Sequence, residues 1–237
     1  MDIKDINKKL SSLYSTWNIV KTIDDYNSKK DDSHKVAYPL FLKTDEEYEN
    51  GNKKLMIFGQ ETYGWDPSSD PEFYGPNMTD NLMKCYYYIL RGDHNTTFFQ
   101  VAKKFVYKLQ EKFQNNTVSY SWNNIVKVGY KENKSGYSID FYEKYLKPNS
   151  NKIINMEIEI LRPDYILFFS GPNYDNVLND VFNNPKRIAV KGVPERQLCE
   201  IVIPNVKKAF RTYHPNYLQR QKITDKYLNI IIKEIMK

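Results

Sequence analysis

Apolar positions along the chain recur with two periods. At the start, Ile3, Ile6, Leu10, Leu13, Trp17 and Val20 alternate steps of three and four, which predicts one amphipathic helix packed on the rest of the chain. Residues 24–35 are polar and predict a surface loop that includes Asp24-Asp25 and Asp31-Asp32. Val36 to Leu42 reads as a short strand or an extended approach to the core, and residues 45–54 are polar again. The run Leu55-Met56-Ile57-Phe58 is too short for a helix, with lysines before it and Gly59-Gln60-Glu61 after it. It predicts a strand buried on both faces, as in a parallel α/β sheet.

Beyond Trp65, the prolines and glycine of residues 66–76 predict an irregular loop. Leu82 to Leu90 predicts a helix. A second helix follows, capped by Asn95-Thr96, with Phe98, Ala102, Phe105, Leu109 and Phe113 as its apolar stripe. Val118 to Val128 is a hydrophobic approach carrying Asn123 and Asn124. Ile153, Met156, Ile160 and Leu161 mark a helical face stopped by Arg162-Pro163. Tyr165 to Gly171 is then a second continuous apolar strand ending in glycine. A helix over 173–182, short edge strands at 188–190 and 198–203, a buried strand at 208–213 and a helix over 223–236 complete the order. Buried strands alternating with helices predict an α/β domain. The expectation is one domain over 1–237, with an N-terminal helical extension over about 1–35.

Composition narrows the partners. A net charge of +6 and a pI near 9.0 favour an anionic partner, nucleic acid above all. Cys85 and Cys199 lie far apart and next to no histidine pair, so a zinc knuckle or a four-cysteine cluster cannot be built from them. Neither a metal nor another cofactor is expected. The N-terminus lacks a signal peptide's apolar core, and no stretch approaches the ~20 apolar residues of a membrane span. The expectation is a cytoplasmic monomer with no membrane partner.

Candidate chemistry gathers at strand ends, because ligands of open α/β sheets bind outside the carboxyl ends of the strands. Gln60, Glu61 and Tyr63 follow the first buried strand; Glu61 equally suits a turn that caps a helix. Asn124 offers a donor and an acceptor side by side for a polar ring, and equally suits an Asx turn that ends the strand. His214 follows the last buried strand directly.

These segments resemble the uracil-DNA glycosylase superfamily. Its first motif, GQDPYH, is similar to Gly59-Gln60-Glu61-Thr62-Tyr63-Gly64, and its last, HPSPLS, to His214-Pro215-Asn216-Tyr217-Leu218-Gln219. Asn124-Ile125-Val126-Lys127 resembles the central asparagine segment, and Ile166 to Gly171 the strand before the final motif. The resemblance covers residues 55–218. It implies a three-layer α/β/α sandwich around a central, mostly parallel four-stranded sheet, and a monofunctional enzyme that excises a base flipped out of DNA.

The resemblance also implies roles. Glu61 orients water and stabilises a cationic sugar, while His214 donates a hydrogen bond to the departing base. Gln60 and Asn124 bind the base, and Tyr63 or the pair Phe73-Tyr74 stacks on it. Leu218 is the wedge in the emptied stack. Apart from the resemblance, the basic residues near the last motif, Arg211, Arg220 and Lys222, suit contacts to phosphates or else a solvated basic face. Glu61, Thr62, Gly64 and Tyr217 depart from the family motifs, so uracil specificity does not follow. The alternative is a nucleic-acid-binding or inhibitor-like protein that keeps the fold without the chemistry.

Overall fold

The periodic N-terminal stripe is divided between two helices. In the computed structural model, which describes residues 2–65, 75, 77–92, 95–114, 116–132 and 134–237 with the side chains of 150 and 151 excepted, α1 spans Ile3–Ser15 and α2 spans Ile19–Asn27. Between them the Thr16 hydroxyl donates to the Leu13 carbonyl and the Trp17 N–H to the Tyr14 carbonyl. Local bonds of this kind compete with the helical ladder, and apolar spacing cannot reveal them. The second helix also takes in Asp24 and Asp25, predicted as loop.

The order continues with α3 (Glu46–Asn50), β1 (Lys53–Glu61), α4 (Met78–Arg91), α5 (Thr97–Phe113) and β2 (Val118–Val126). Then α6 (Ile139–Phe141) widens into a π turn over Tyr142–Leu146 before α7 (Lys147–Leu161). Pro148 follows that turn, and a proline has no N–H to offer the preceding one. The remaining elements are β3 (Tyr165–Phe168), α8 (Asp175–Phe182), β4 (Arg187–Ala189), β5 (Leu198–Ile201), β6 (Lys208–Thr212), α9 (Pro215–Arg220) and α10 (Thr224–Ile235). Among the described residues no helix is long and apolar enough to cross a membrane.

The chain divides into two compact units: Met1–Thr44, Gln60–Gly92 and Asn124–Leu161 form the first, and Asp45–Gly59, Asp93–Asn123 and Arg162–Lys237 the second. The N-terminal helices are integral to the first unit, where α1 packs on α4 and α7.

The second unit is organised by the sheet, in the order β2-β1-β3-β6-β5-β4. β1 pairs parallel with β3 from Leu55↔Tyr165 to Phe58↔Phe168, and β3 pairs parallel with β6. β5 runs antiparallel to both β6 and β4. The fold is therefore α/β with a six-stranded mixed sheet, where a mostly parallel four-stranded one was expected. The additional strands are the two short segments predicted as edges. Leu55, Met56, Ile57 and Phe58 are fully buried, and the Phe58 and Phe168 rings meet at 4.7 Å. Covering such a side chain contributes about 1.5–3 kcal/mol, which explains why an apolar run interrupted by no polar residue forms the central strands.

The first unit buries a charge. Lys127 Nζ lies 2.5 Å from Glu157 Oε1 and also donates to the Leu40 carbonyl at 3.3 Å. The Tyr14 hydroxyl donates to the same Glu157 oxygen at 2.7 Å and accepts the Leu42 N–H at 3.0 Å. The predicted apolar face of α7 shifts accordingly: Ile153, Ile154, Glu157, Ile158 and Leu161 are buried, whereas Met156 and Ile160 are partly exposed. Burial draws the Lys127 ammonium below its ordinary pKa against the opposing pull of Glu157, and raises the Tyr14 hydroxyl well above its own.

Removing one member of such a pair leaves an uncompensated charge inside, at a cost of about 3–5 kcal/mol. Glu157→Leu or Lys127→Met alone should lower stability in urea unfolding by that order, and the double substitution should recover most of the loss.

Candidate functional site

Beyond β1, the chain turns through Thr62–Trp65 against Gly129 and Tyr130. The Thr62 hydroxyl accepts the Gly129 N–H at 2.8 Å, and the Gly64 N–H reaches the Tyr130 carbonyl at 3.3 Å. Gly129 is required here by space: a Cβ would stand 2.1 Å from the Thr62 carbonyl oxygen and 2.9 Å from Glu61 Cγ. Glu61, half-buried, accepts the Gly136 N–H at 2.6 Å through Oε1. This bond aims the carboxylate, and Thr62–Trp65 after it are not helical, so Glu61 does not cap a helix there. Gln60 is half-buried beside it, and Tyr63 is 59% exposed.

Asn124 is 1% exposed. The strand runs on to Val126, so the asparagine does not end it as an Asx turn. Its amide faces no solvent in this arrangement.

In the second unit, β6 delivers the chain to His214, which caps α9. Pro215 occupies the first helical position, where its missing N–H costs nothing. The Asn216 N–H donates to His214 Nδ1 at 3.3 Å. An accepting Nδ1 carries no proton, so the neutral ring bears its proton on Nε2. Burial pushes the imidazole down from 6.5 to about 4, which keeps it neutral through the physiological range. The Phe98 ring stacks on it at 6.0 Å, and Phe98 also meets Trp122 and Phe169 at 6.2 and 6.1 Å.

No family model matches the chain, and neither does any curated protein. The site must be read from its own chemistry. Glu61 and Asn124 belong to the first unit and His214 to the second. Among the described residues, no group of three or more His, Cys, Asp or Glu side chains is placed to hold a metal ion.

Two expected DNA contacts are placed otherwise. Leu218 is fully buried, so it presents no wedge at the surface. Arg211 is 1% exposed: Nη2 donates to Asp175 at 3.0 Å and Nη1 to the Arg196 carbonyl at 2.7 Å. Its Nε, 3.0 Å from Asp175 Oδ1, adds an ion-pair contact without hydrogen-bond alignment. This guanidinium holds the loop before β5 and the start of α8, and is not available to a phosphate. Arg220 and Lys222 are exposed, Arg220 lying 5.6 Å from the Tyr217 ring centroid. Phe73 and Tyr74 lie outside the described residues.

Phe98 and Phe113 were both expected in the apolar stripe of α5, and neither is among its buried residues. The buried stripe of α5 is Phe99, Ala102, Phe105 and Leu109, which leaves Phe98 half-buried on the adjacent face. Spacing does not separate the two phenylalanines, since Phe98 stands four residues before Ala102 and Phe99 three, and both steps fit one helical face.

Two outcomes follow from this geometry. The unfolded imidazole titrates near 6.5 and the folded one near 4, so between these values the unfolded state binds the extra proton. Stability should fall as pH is lowered through that window, and urea titrations of His214→Gln should show a shallower fall. Gly129→Ala should cost about 1–3 kcal/mol in the same assay, the usual range for overpacking; an unchanged midpoint would mean that the 61–62 turn yields freely.

Proposed function

We propose that the chain is a DNA glycosylase, a divergent relative of the uracil-DNA glycosylase superfamily with its α/β/α layering, that hydrolyses the bond between deoxyribose and a deaminated, damaged or modified base. The observation that carries this reading is His214. A neutral imidazole at the end of a parallel strand, with Nδ1 engaged and Nε2–H free of that bond, suits donation to a base oxygen that gains negative charge. A cationic imidazolium would be the weaker fit, since proton transfer to the base is not needed when a hydrogen bond stabilises the anion.

In this reading the C1′–N bond breaks with its electrons on the base, leaving an oxocarbenium-like sugar. Glu61, aimed by the Gly136 N–H, stabilises that cation and takes a proton from the water that adds to C1′. Gln60 contributes hydrogen bonds to the base. Phe98, already stacked on His214, is a stronger candidate for the face of the base than Tyr63. The enzyme works on DNA as a cytoplasmic monomer without a cofactor, and Arg220 and Lys222 contribute phosphate contacts. The burial of Leu218 and Arg211 favours the second reading, a DNA-binding protein of this fold that has no base-releasing activity.

Duplex and single-stranded DNA carrying uracil, other deaminated bases or hypermodified pyrimidines, followed by alkaline cleavage, decides between them. Strand breaks at one class of base are expected. Glu61→Gln and His214→Ala should each lower the rate by about a hundredfold or more, the usual worth of a positioned acid, base or oxyanion donor, while DNA binding is retained. Silence on every substrate overturns the enzyme reading. DNA binding that persists without product, and is indifferent to Glu61→Gln, establishes the second.

A further inference from the structure

The first unit has a basic cleft that plays no part in the chemistry above. It encloses about 540 Å3 where α1 and α4 pack together. Lys8 and Ser12 line it from α1, Lys84 from α4, and Lys43 from the segment after Leu42. Asp80 is the one carboxylate in this lining among the described residues, and it accepts a hydrogen bond from Ser11 at 3.2 Å. Three lysines against one aspartate leave a surplus of positive charge. Lys8 and Lys84 are exposed and make no ion pair among the described residues, so the cleft's charge is unspent.

An aromatic surface continues from the lysines. Lys84 and Tyr88 stand four residues apart on α4, hence on one face of the helix. The face of α4 that is buried holds Leu82, Met83, Tyr86 and Leu90, which turns Tyr88 outward at 70% exposure. Tyr87 meets Tyr88 edge-on at 6.1 Å, and Lys43 Nζ lies 5.8 Å from the Tyr87 centroid. An exposed tyrosine braced by a second ring, next to unpaired lysines and hydroxyls, combines a stacking platform with a phosphate-attracting groove.

We infer that this face holds a single strand of DNA, with Lys8, Lys43 and Lys84 at its phosphates and Tyr88 under one of its bases. The choice of DNA rests on the glycosylase reading; the single strand follows from Tyr88. A duplex keeps its bases stacked on one another and would use only the lysines, whereas an unpaired base uses the ring as well.

The test measures anisotropy of a labelled oligothymidylate with the full chain over a range of salt. Wild type should bind it more tightly than a duplex of equal length. Tyr88→Ala should weaken single-strand binding on the order of tenfold. Lys8→Ala with Lys84→Ala should reduce the salt slope by about 1.4, from about 0.7 per phosphate contact on a single strand. Binding by the variants equal to wild type overturns the inference, as does preference for the duplex. Competition by inorganic pyrophosphate as effective as by unlabelled oligothymidylate also overturns it, because the cleft would then be a simple anion site. Oligothymidylate reports binding and needs no excision. These variants can therefore lose binding while the abasic-site assay is silent, or keep it while that assay succeeds, so the two proposals fail separately.

Discussion

The first unit is built on the need to keep the Lys127 ammonium company inside the protein. An isolated charge there is prohibitive, so its partners must come to it. Glu157 comes from α7, Tyr14 from α1, and the Leu40 carbonyl from the extended segment after Val36. Four separate stretches of chain are therefore held to one point. Two residues beyond Lys127, Gly129 passes close beneath Thr62 and Glu61, where no side chain fits. The same stretch of backbone that carries Lys127 thus also lies against the turn that holds the Glu61 carboxylate.

The second unit treats a half-buried titratable group in the opposite way. Lys127 stays beside an opposing charge; His214 meets its burial by giving up its charge. The Asn216 N–H then decides which nitrogen keeps the proton. A ring fixed in protonation and tautomer pays no reorganisation when a neighbouring atom becomes negative, which is the physical content of electrostatic preorganisation. Phe98 stacks beside that ring and offers an aromatic surface of its own.

Much of this was legible in the sequence wherever one force dominated. Leu55 to Phe58 and Tyr165 to Phe168 are uninterrupted apolar runs, and both are buried strands, because nothing but a two-faced core accommodates them. The strand before His214 was equally plain. What escaped was set by interactions across the chain. Periodicity carried the N-terminal helix through Trp17, where side-chain and backbone bonds end it. Glu157 sits on the buried face of α7 at helical spacing from Ile153 and Leu161, yet a carboxylate is read as surface unless its lysine is known. Leu218 matched a motif by order and Arg211 lay close to it in the chain, and neither fact states exposure.

The central claim is that His214 is neutral with its proton on Nε2, and nitrogen NMR of the histidine-labelled chain tests it most directly. The chain has three histidines, so His214→Gln assigns the signals. The account predicts one bare and one protonated ring nitrogen for His214, identified as Nδ1 and Nε2 by their couplings, with no titration until the pH nears about 4. A ring that titrates near 6.5, or one whose proton resides on Nδ1, would contradict it.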